Sequence, residues 1–228
     1  RRLALLATAP LADPPSGPHV AGGEGPVRVG ILAFRPPAQT LAQWMPTLAA
    51  LEEAIPERRF TLEALNYPDL TRAVAEGRLD FLFTNPEHFA ILRAQYGLSA
   101  IATLIPLASG HPTSSFAGVV LAQAGRADLS TLRDLAGKTI ASPNSQSLGG
   151  YAMQAWALMK AGVDVTGGQV RMHFVGMPHD RSVGELLAGE VDAAFVRSGV
   201  IEAMTAEGTL DPSLIKVLDP QRDELPLV

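Results

Sequence analysis

Apolar and polar positions follow two rhythms along this chain. The run 27–34 is almost continuously apolar, the pattern of a strand buried on both faces, and Arg35-Pro36-Pro37 ends it. From 40 to 55, apolar residues recur at helical spacing through Leu41, Trp44, Met45, Leu48 and Leu51. The same reading predicts strands at 60–65, 79–83 and 98–104. It predicts helices at 67–76 and at 86–95, the second opened by Pro86 in its first turn. The stretch 105–115, with Pro106, Gly110 and Pro112, breaks the rhythm and reads as a connection. Beyond it the pattern resumes, with strands at 116–123, 138–141, 170–175, 191–196 and 214–218 and helices at 147–161, 180–188 and 198–207. Strand and helix alternate throughout, so each half is expected to be an α/β lobe with a mainly parallel sheet. Trp44 and Trp156 fall on apolar helical faces and are expected in the core.

The two halves echo each other at a spacing of 112 residues, which relates Gly77 to Gly189 and Asp80 to Asp192. Each half carries a helix, a Gly, an Asp and a strand in that order. The same spacing relates Tyr67 to His179 and Asn85 to Arg197, so each lobe puts polar residues at its strand ends. Ligands of α/β sheets sit beyond the carboxyl ends of the strands, and two such lobes facing each other form a cleft. Asp80 and Asp192, at strand starts after a Gly turn, read as structural.

The strongest local signal is Ser142-Pro143-Asn144-Ser145-Gln146-Ser147-Leu148-Gly149-Gly150-Tyr151, between a predicted strand and a predicted helix. The first turn of a helix carries unpaired N–H groups and a partial positive charge, so Ser and Gly there suit an oxyanion. An ordinary Ser cap on a core helix would read the same way.

Composition narrows the picture. A formal charge of −5 with 18 scattered basic residues argues against nucleic acid, so any preference for anions must be local. The chain has no cysteine, which removes disulfides, thiolate metal sites and cysteine nucleophiles. Residues 1–26, with Arg1-Arg2, a short apolar run and a Pro/Gly-rich stretch, read as a secretory remnant and linker. His173 and His179 lack further ligands at metal spacing, and Ser145 and Ser147 lack a nucleophile elbow or a triad, so no metal, cofactor or catalytic role is expected. His88, beside Glu87, reads as a capping or surface residue.

Taken together, Gly77-x-x-Asp80 with Asn85-Pro86, Pro143-Asn144-Ser145-Gln146-Ser147 with Gly149-Gly150-Tyr151, and His179-Asp180 ahead of Gly189-x-x-Asp192 resemble the phosphonate and phosphite periplasmic binding proteins. The resemblance implies a two-lobed type II periplasmic-binding fold, α/β in each lobe, closing over a small oxyanion. It implies that the Ser-rich turn at Ser145, Gln146, Ser147, Gly149 and Gly150 holds the anion, with Tyr67 and His179 donating hydrogen bonds. Thr84 and Asn85, at the turn after the 79–83 strand, join the expected cleft, as do Arg35 and Arg197, whose guanidinium groups follow strands directly and could clamp an oxyanion. Phe89 stands where transporter members commonly carry Tyr, and Gln146 where they often carry Thr. Leu32 to Arg35, Thr84-Asn85-Pro86 and Phe195 to Val200 look more like the extracytoplasmic input domains of histidine kinases, including tetrathionate-type sensors. The expected partners are therefore a small oxyanion and a membrane-attached kinase in the same chain, or an ABC permease if the protein serves uptake. Lobe 1 is expected over 27–108, the hinge over 109–115 and lobe 2 over 116–218. Residues 219–228 are expected to begin a return segment, as in a fragment of a longer polypeptide.

Overall fold

A computed structural model describes residues 25–105, 107–108, 111–112, 115–220 and 225–226. The secretory remnant, most of the hinge and most of the return segment lie outside the described residues. The first sheet is three-stranded and parallel: β1 (Val27–Leu32) lies between β2 (Phe60–Leu65) and β3 (Phe81–Phe83). Its helices are α1 (Pro37–Ala54), α2 (Tyr67–Ala75) and α3 (Pro86–Tyr96). Each starts where chemistry favours it. Pro37 opens α1, the Asn66 side chain accepts the Asp69 N–H to cap α2, and the Asn85 side chain accepts the N–H groups of Glu87 and His88 to cap α3. Gly97, left-handed at φ 71°, ends α3.

The connecting region carries the two-residue strands β4 (Leu107–Ala108), β5 (His111–Pro112) and β6 (Ser115–Phe116). The second sheet contains β7 (Gly118–Gln123), β8 (Thr139–Ser142), β9 (Arg171–Phe174), β10 (Ala193–Arg197) and β11 (Ile215–Pro220), in the order β11-β7-β10-β8-β9. β8, β9 and β10 run parallel, while β7 is antiparallel to both β10 and β11, so this sheet is mixed. Helices α4 (Met153–Lys160), α5 (Asp180–Ala188) and α6 (Val200–Ala206) complete the lobe, and β12 (Leu225–Pro226) pairs with β6.

Lobe 2 buries its sheet on both faces. Val120, Ile140 and Phe195 pack with Leu129, Leu135 and Leu158 on one side. Leu121, Ala141 and Val196 pack with Val183 and Leu186 on the other. This two-sided burial explains the near-continuous apolar runs of β7 and β10. Lobe 1 has a smaller cluster of Leu32, Tyr67 and Leu70, and Met177, which follows β9, packs into it. The internal echo is real in three dimensions. Asp80 Oδ2 accepts the Arg28 N–H at 2.8 Å, and Asp192 Oδ2 accepts the Thr139 N–H at 2.9 Å, each pinning its loop to the neighbouring strand.

Four expectations need correction. Residues 98–104 form no strand: once Gly97 has ended α3 the chain runs irregularly, without a partner strand among the described residues, and Ile101 is 76% exposed. Trp156 is 58% exposed, because α4 is apolar nearly all round and its outer face meets solvent, where Lys160 lies 5.9 Å from the indole. Trp44 is half-buried against Phe83. The helix expected from 147 begins with a π-helical turn at Leu148–Ala152 before α4.

Candidate functional site

The polar residues at the strand ends meet between the lobes. Tyr67 follows β2, Thr84 and Asn85 follow β3, the Ser-rich turn follows β8, His179 lies beyond β9 and Arg197 ends β10.

Lobe 1 contributes a tightly bonded wall. Asn85 Nδ2 donates to Tyr67 Oη at 2.7 Å and points at the Gln146 carbonyl of the other lobe at 3.4 Å. Burial raises the Tyr67 pKa, an effect opposed by the nearby Ser147 hydroxyl across the cleft. The phenol therefore stays protonated and able to donate. Behind it, His88 is fully buried, not a surface residue. Its Nε2 meets Thr71 Oγ1 at 2.9 Å, its Nδ1 meets Thr84 Oγ1 at 2.8 Å, and its ring packs edge-on to Tyr67. Burial holds His88 neutral, with its pKa lowered to about 4. Thr84 is thus a support one layer back from the cleft. Glu87, in the first turn of α3, has its pKa raised by burial, and its Oε2 has no hydrogen-bond partner among the described residues.

Lobe 2 contributes open donors. The turn after β8 folds on an Asn144 side chain that accepts the Gln146 N–H at 2.8 Å, and the Ser147 carbonyl takes the N–H groups of Tyr151 and Ala152. Among the described residues the N–H groups of Leu148 and Gly149 have no acceptor outside the helix. Ser147 is buried, whereas Ser145 is exposed, and Gln146 offers its carbonyl to Asn85. Glycine is needed at two positions for close approach. A methyl group at Gly150 would come within 2.6 Å of Pro143 Cγ and 2.7 Å of both His179 Cε1 and Ser147 Oγ, and one at Gly149 within 2.8 Å of the Phe116 ring and 3.1 Å of Arg197 Cγ. Sequence reasoning missed Gln154, fully buried in α4. Its Nε2 donates to the carbonyls of Gly149 at 2.8 Å and Val196 at 2.9 Å, tying the turn to β10. A lone amide on an otherwise apolar helix was the available signal.

His179 is 3% exposed, and its Nδ1 accepts the Arg197 backbone N–H at 3.3 Å. That bond leaves the proton on Nε2, which has no partner among the described residues. Burial, with the positive charges of Arg197 and Arg35 adding to it, lowers the His179 pKa to about 3, so the ring is neutral. The Arg197 guanidinium lies 4.9 Å from the centre of the Phe116 ring and 5.2 Å from that of Phe34. Burial lowers its pKa, and among the described residues no carboxylate pairs with it. Arg197 is half-buried, and a partly desolvated charge without a counter-ion carries a cost that two aromatic faces offset only in part. This arrangement suits an anion in the cleft.

Arg35 is placed differently from Arg197. Its Nε and Nη2 donate to the two carboxylate oxygens of Asp180 at 3.0 and 3.1 Å, and Nη2 donates to Glu207 at 2.5 Å. The expected clamp is therefore already occupied by carboxylates of the other lobe. The structure thus brings Tyr67, Asn85, Ser147, Gly149, Gly150, His179 and Arg197 together, and leaves Ser145, Thr84 and Arg35 outside that cluster.

Comparison with known proteins identifies the family and the fold. Residues 29–223 match the model of a family described as the periplasmic substrate-binding protein of phosphonate ABC transporters. The tetrathionate sensor histidine kinase TtrS of Salmonella typhimurium is 32% identical over 92% of this chain. The chain spans 34% of the length of that relative. The fold is shared with the binding protein of an ABC phosphonate transporter from Pseudomonas aeruginosa, at TM-score 0.72 and 14% identity over 90% of this chain and 67% of that one. It is also shared with PhnD1 of Prochlorococcus marinus, solved with methylphosphonate, at TM-score 0.70 and 16% identity over 90% of this chain and 74% of that one. With two α/β lobes, a cleft at their strand ends and a family match over most of its length, the chain belongs to the phosphonate-type periplasmic substrate-binding protein family.

Proposed function

We propose that this chain is the extracytoplasmic sensor domain of a histidine kinase and captures a small oxyanion between its lobes. The observation that carries the reading is the Arg197 guanidinium, half-buried between two aromatic rings and lacking a counter-ion among the described residues. In this reading Arg197 neutralises the ligand. The Nε2–H of His179, the hydroxyls of Ser147 and Tyr67 and the N–H groups of Leu148 and Gly149 complete its hydrogen bonds. Gly149 and Gly150 let the backbone come close, and Asn85 holds the Tyr67 phenol in place. All of these groups can donate, so an oxyanion that carries no proton of its own, such as a thionate, a sulfonate or a phosphonate dianion, suits them.

Signalling is favoured by the 32% identity to a tetrathionate sensor kinase. In a sensor, ligand shifts an open–closed equilibrium through its preference for the closed form. An uptake role is the second reading, favoured by the family model and by the methylphosphonate complex of a protein with this fold. The test is a melting-temperature screen of the purified domain against tetrathionate, thiosulfate, sulfate, phosphate, phosphite and methylphosphonate, since a ligand of the folded state raises the midpoint. A rise with sulfur oxyanions supports the sensor reading, and a rise with phosphonates alone returns the chain to uptake. A flat response to all six would contradict oxyanion capture.

A further inference from the structure

We propose that Arg35 is a positioning residue: an ionic clasp between the lobes that sets how far the cleft closes, and not a ligand of the anion. The proposal rests on the reading of the chain as a two-lobed binding domain. Arg35 stands just beyond β1 in lobe 1, and its side chain is 7% exposed. Its partners lie in lobe 2 on two separate elements, Asp180 at the first turn of α5 and Glu207 at the end of α6. The fork on Asp180 is bidentate, and Glu207 is held a second time by Gln39 Nε2 at 3.4 Å. Arg35 and Asp180 are 145 residues apart in sequence, so these bonds exist only while the lobes are together.

The clasp is built into the same two dipeptides as the candidate site. Phe34, whose ring faces Arg197, precedes Arg35, and its carbonyl accepts the His179 N–H at 3.1 Å. His179 in turn precedes Asp180. Forming the Arg35–Asp180 bonds therefore brings Phe34 over Arg197 and its carbonyl to the His179 N–H in one movement. On opening, the guanidinium and both carboxylates regain water, so the clasp adds a modest bias to the closed state and does not lock it. A protein populating the closed state in this way binds with an apparent affinity scaled by that population.

The chain has no cysteine, so two spin labels report lobe separation without background. The exposed residues Glu57, in lobe 1, and Glu190, in lobe 2, are suitable sites for Glu57→Cys and Glu190→Cys. Pulsed electron resonance is run on the ligand-free protein. The clasp predicts a larger short-distance, closed population in the otherwise native chain than in Arg35→Gln, with the same shift toward the displaced, open population in Asp180→Asn. Combining the two substitutions should shift the populations no further than either alone. An unchanged distance distribution in a folded Arg35→Gln protein overturns the proposal. If that variant does not fold, Glu207→Gln, altering the more exposed partner, decides by the same criterion. No ligand enters the measurement, so the clasp stands or falls independently of the oxyanion screen.

Discussion

The two lobes present equivalent positions of one repeat in opposite chemical states. In lobe 1, Asn85 caps α3 and tethers Tyr67, and His88 has both ring nitrogens bonded to hydroxyls. In lobe 2, the repeat partner of Asn85 is Arg197, without a counter-ion among the described residues, and the partner of Tyr67 is His179, with Nε2 free among them. Lobe 1 has spent most of its polar groups on itself and acts as a wall, with only the Tyr67 O–H left to face the cleft. Lobe 2 has held donors in reserve at a cost in folding energy, as is expected where binding is the purpose.

The largest test of this difference is Arg197→Met, which keeps the stem and removes the charge. Oxyanion affinity should fall about 100-fold or more, the scale seen when one partner of a buried charge pair is truncated. The melting temperature of the ligand-free protein should hold or rise, because an uncompensated buried charge is gone. Titration calorimetry and thermal unfolding on the same sample check both halves.

Acid stability is the next. His88 and His179 are neutral in the folded protein, with pKa values lowered to about 4 and about 3, and each gains a proton more readily when unfolded, near the ordinary histidine value of 6.5. The unfolded state then binds more protons, so stability falls as pH drops below about 6.5. Each histidine contributes up to about 1.4 kcal/mol per pH unit. The His88 contribution levels off near about pH 4, whereas that of His179 continues to about pH 3. Glu87, raised by burial, works in the opposite sense above the ordinary glutamate value of 4.5. Urea unfolding across this range should show the decline; stability independent of pH between 6.5 and 4 would contradict neutral burial.

Smaller effects separate wall from seat. Asn85→Ala should cost about 1–2 kcal/mol of stability through the lost α3 cap, read as a lower urea midpoint. Tyr67→Phe should weaken oxyanion binding about 10-fold or less, the scale of one hydrogen bond of about 1 kcal/mol, with little change in unfolding. Equal binding losses for Tyr67→Phe and Arg197→Met would erase the proposed asymmetry between the lobes.

Much of this architecture was legible in local pattern. β2 and α5 fall where the periodicity put them, and the repeat located Tyr67, Asn85, His179 and Arg197 at strand ends before any coordinates were needed. Local pattern failed where the deciding partner is distant. The apolar run 98–104 looks like a strand, but a strand needs a neighbour and none pairs with it among the described residues. Arg35 and Arg197 both follow strands, yet only the fold reveals that the first meets carboxylates 145 and 172 residues away and the second meets two phenylalanine rings. His88 lies beside Glu87 at a helix start, and its burial depends on hydroxyls from two other segments. The π-helical turn at Leu148–Ala152 has no marker beyond Gly149-Gly150, which is equally compatible with an ordinary helix start.

The central claim is that the unpaired donors around Arg197 seat an oxyanion. The most direct measurement is calorimetric titration of wild-type and Arg197→Met proteins, side by side, with whichever oxyanion of the melting screen gives the largest shift. The wild type should bind saturably at 1:1 and the variant not at all at the same concentrations. Equal binding to both would contradict it.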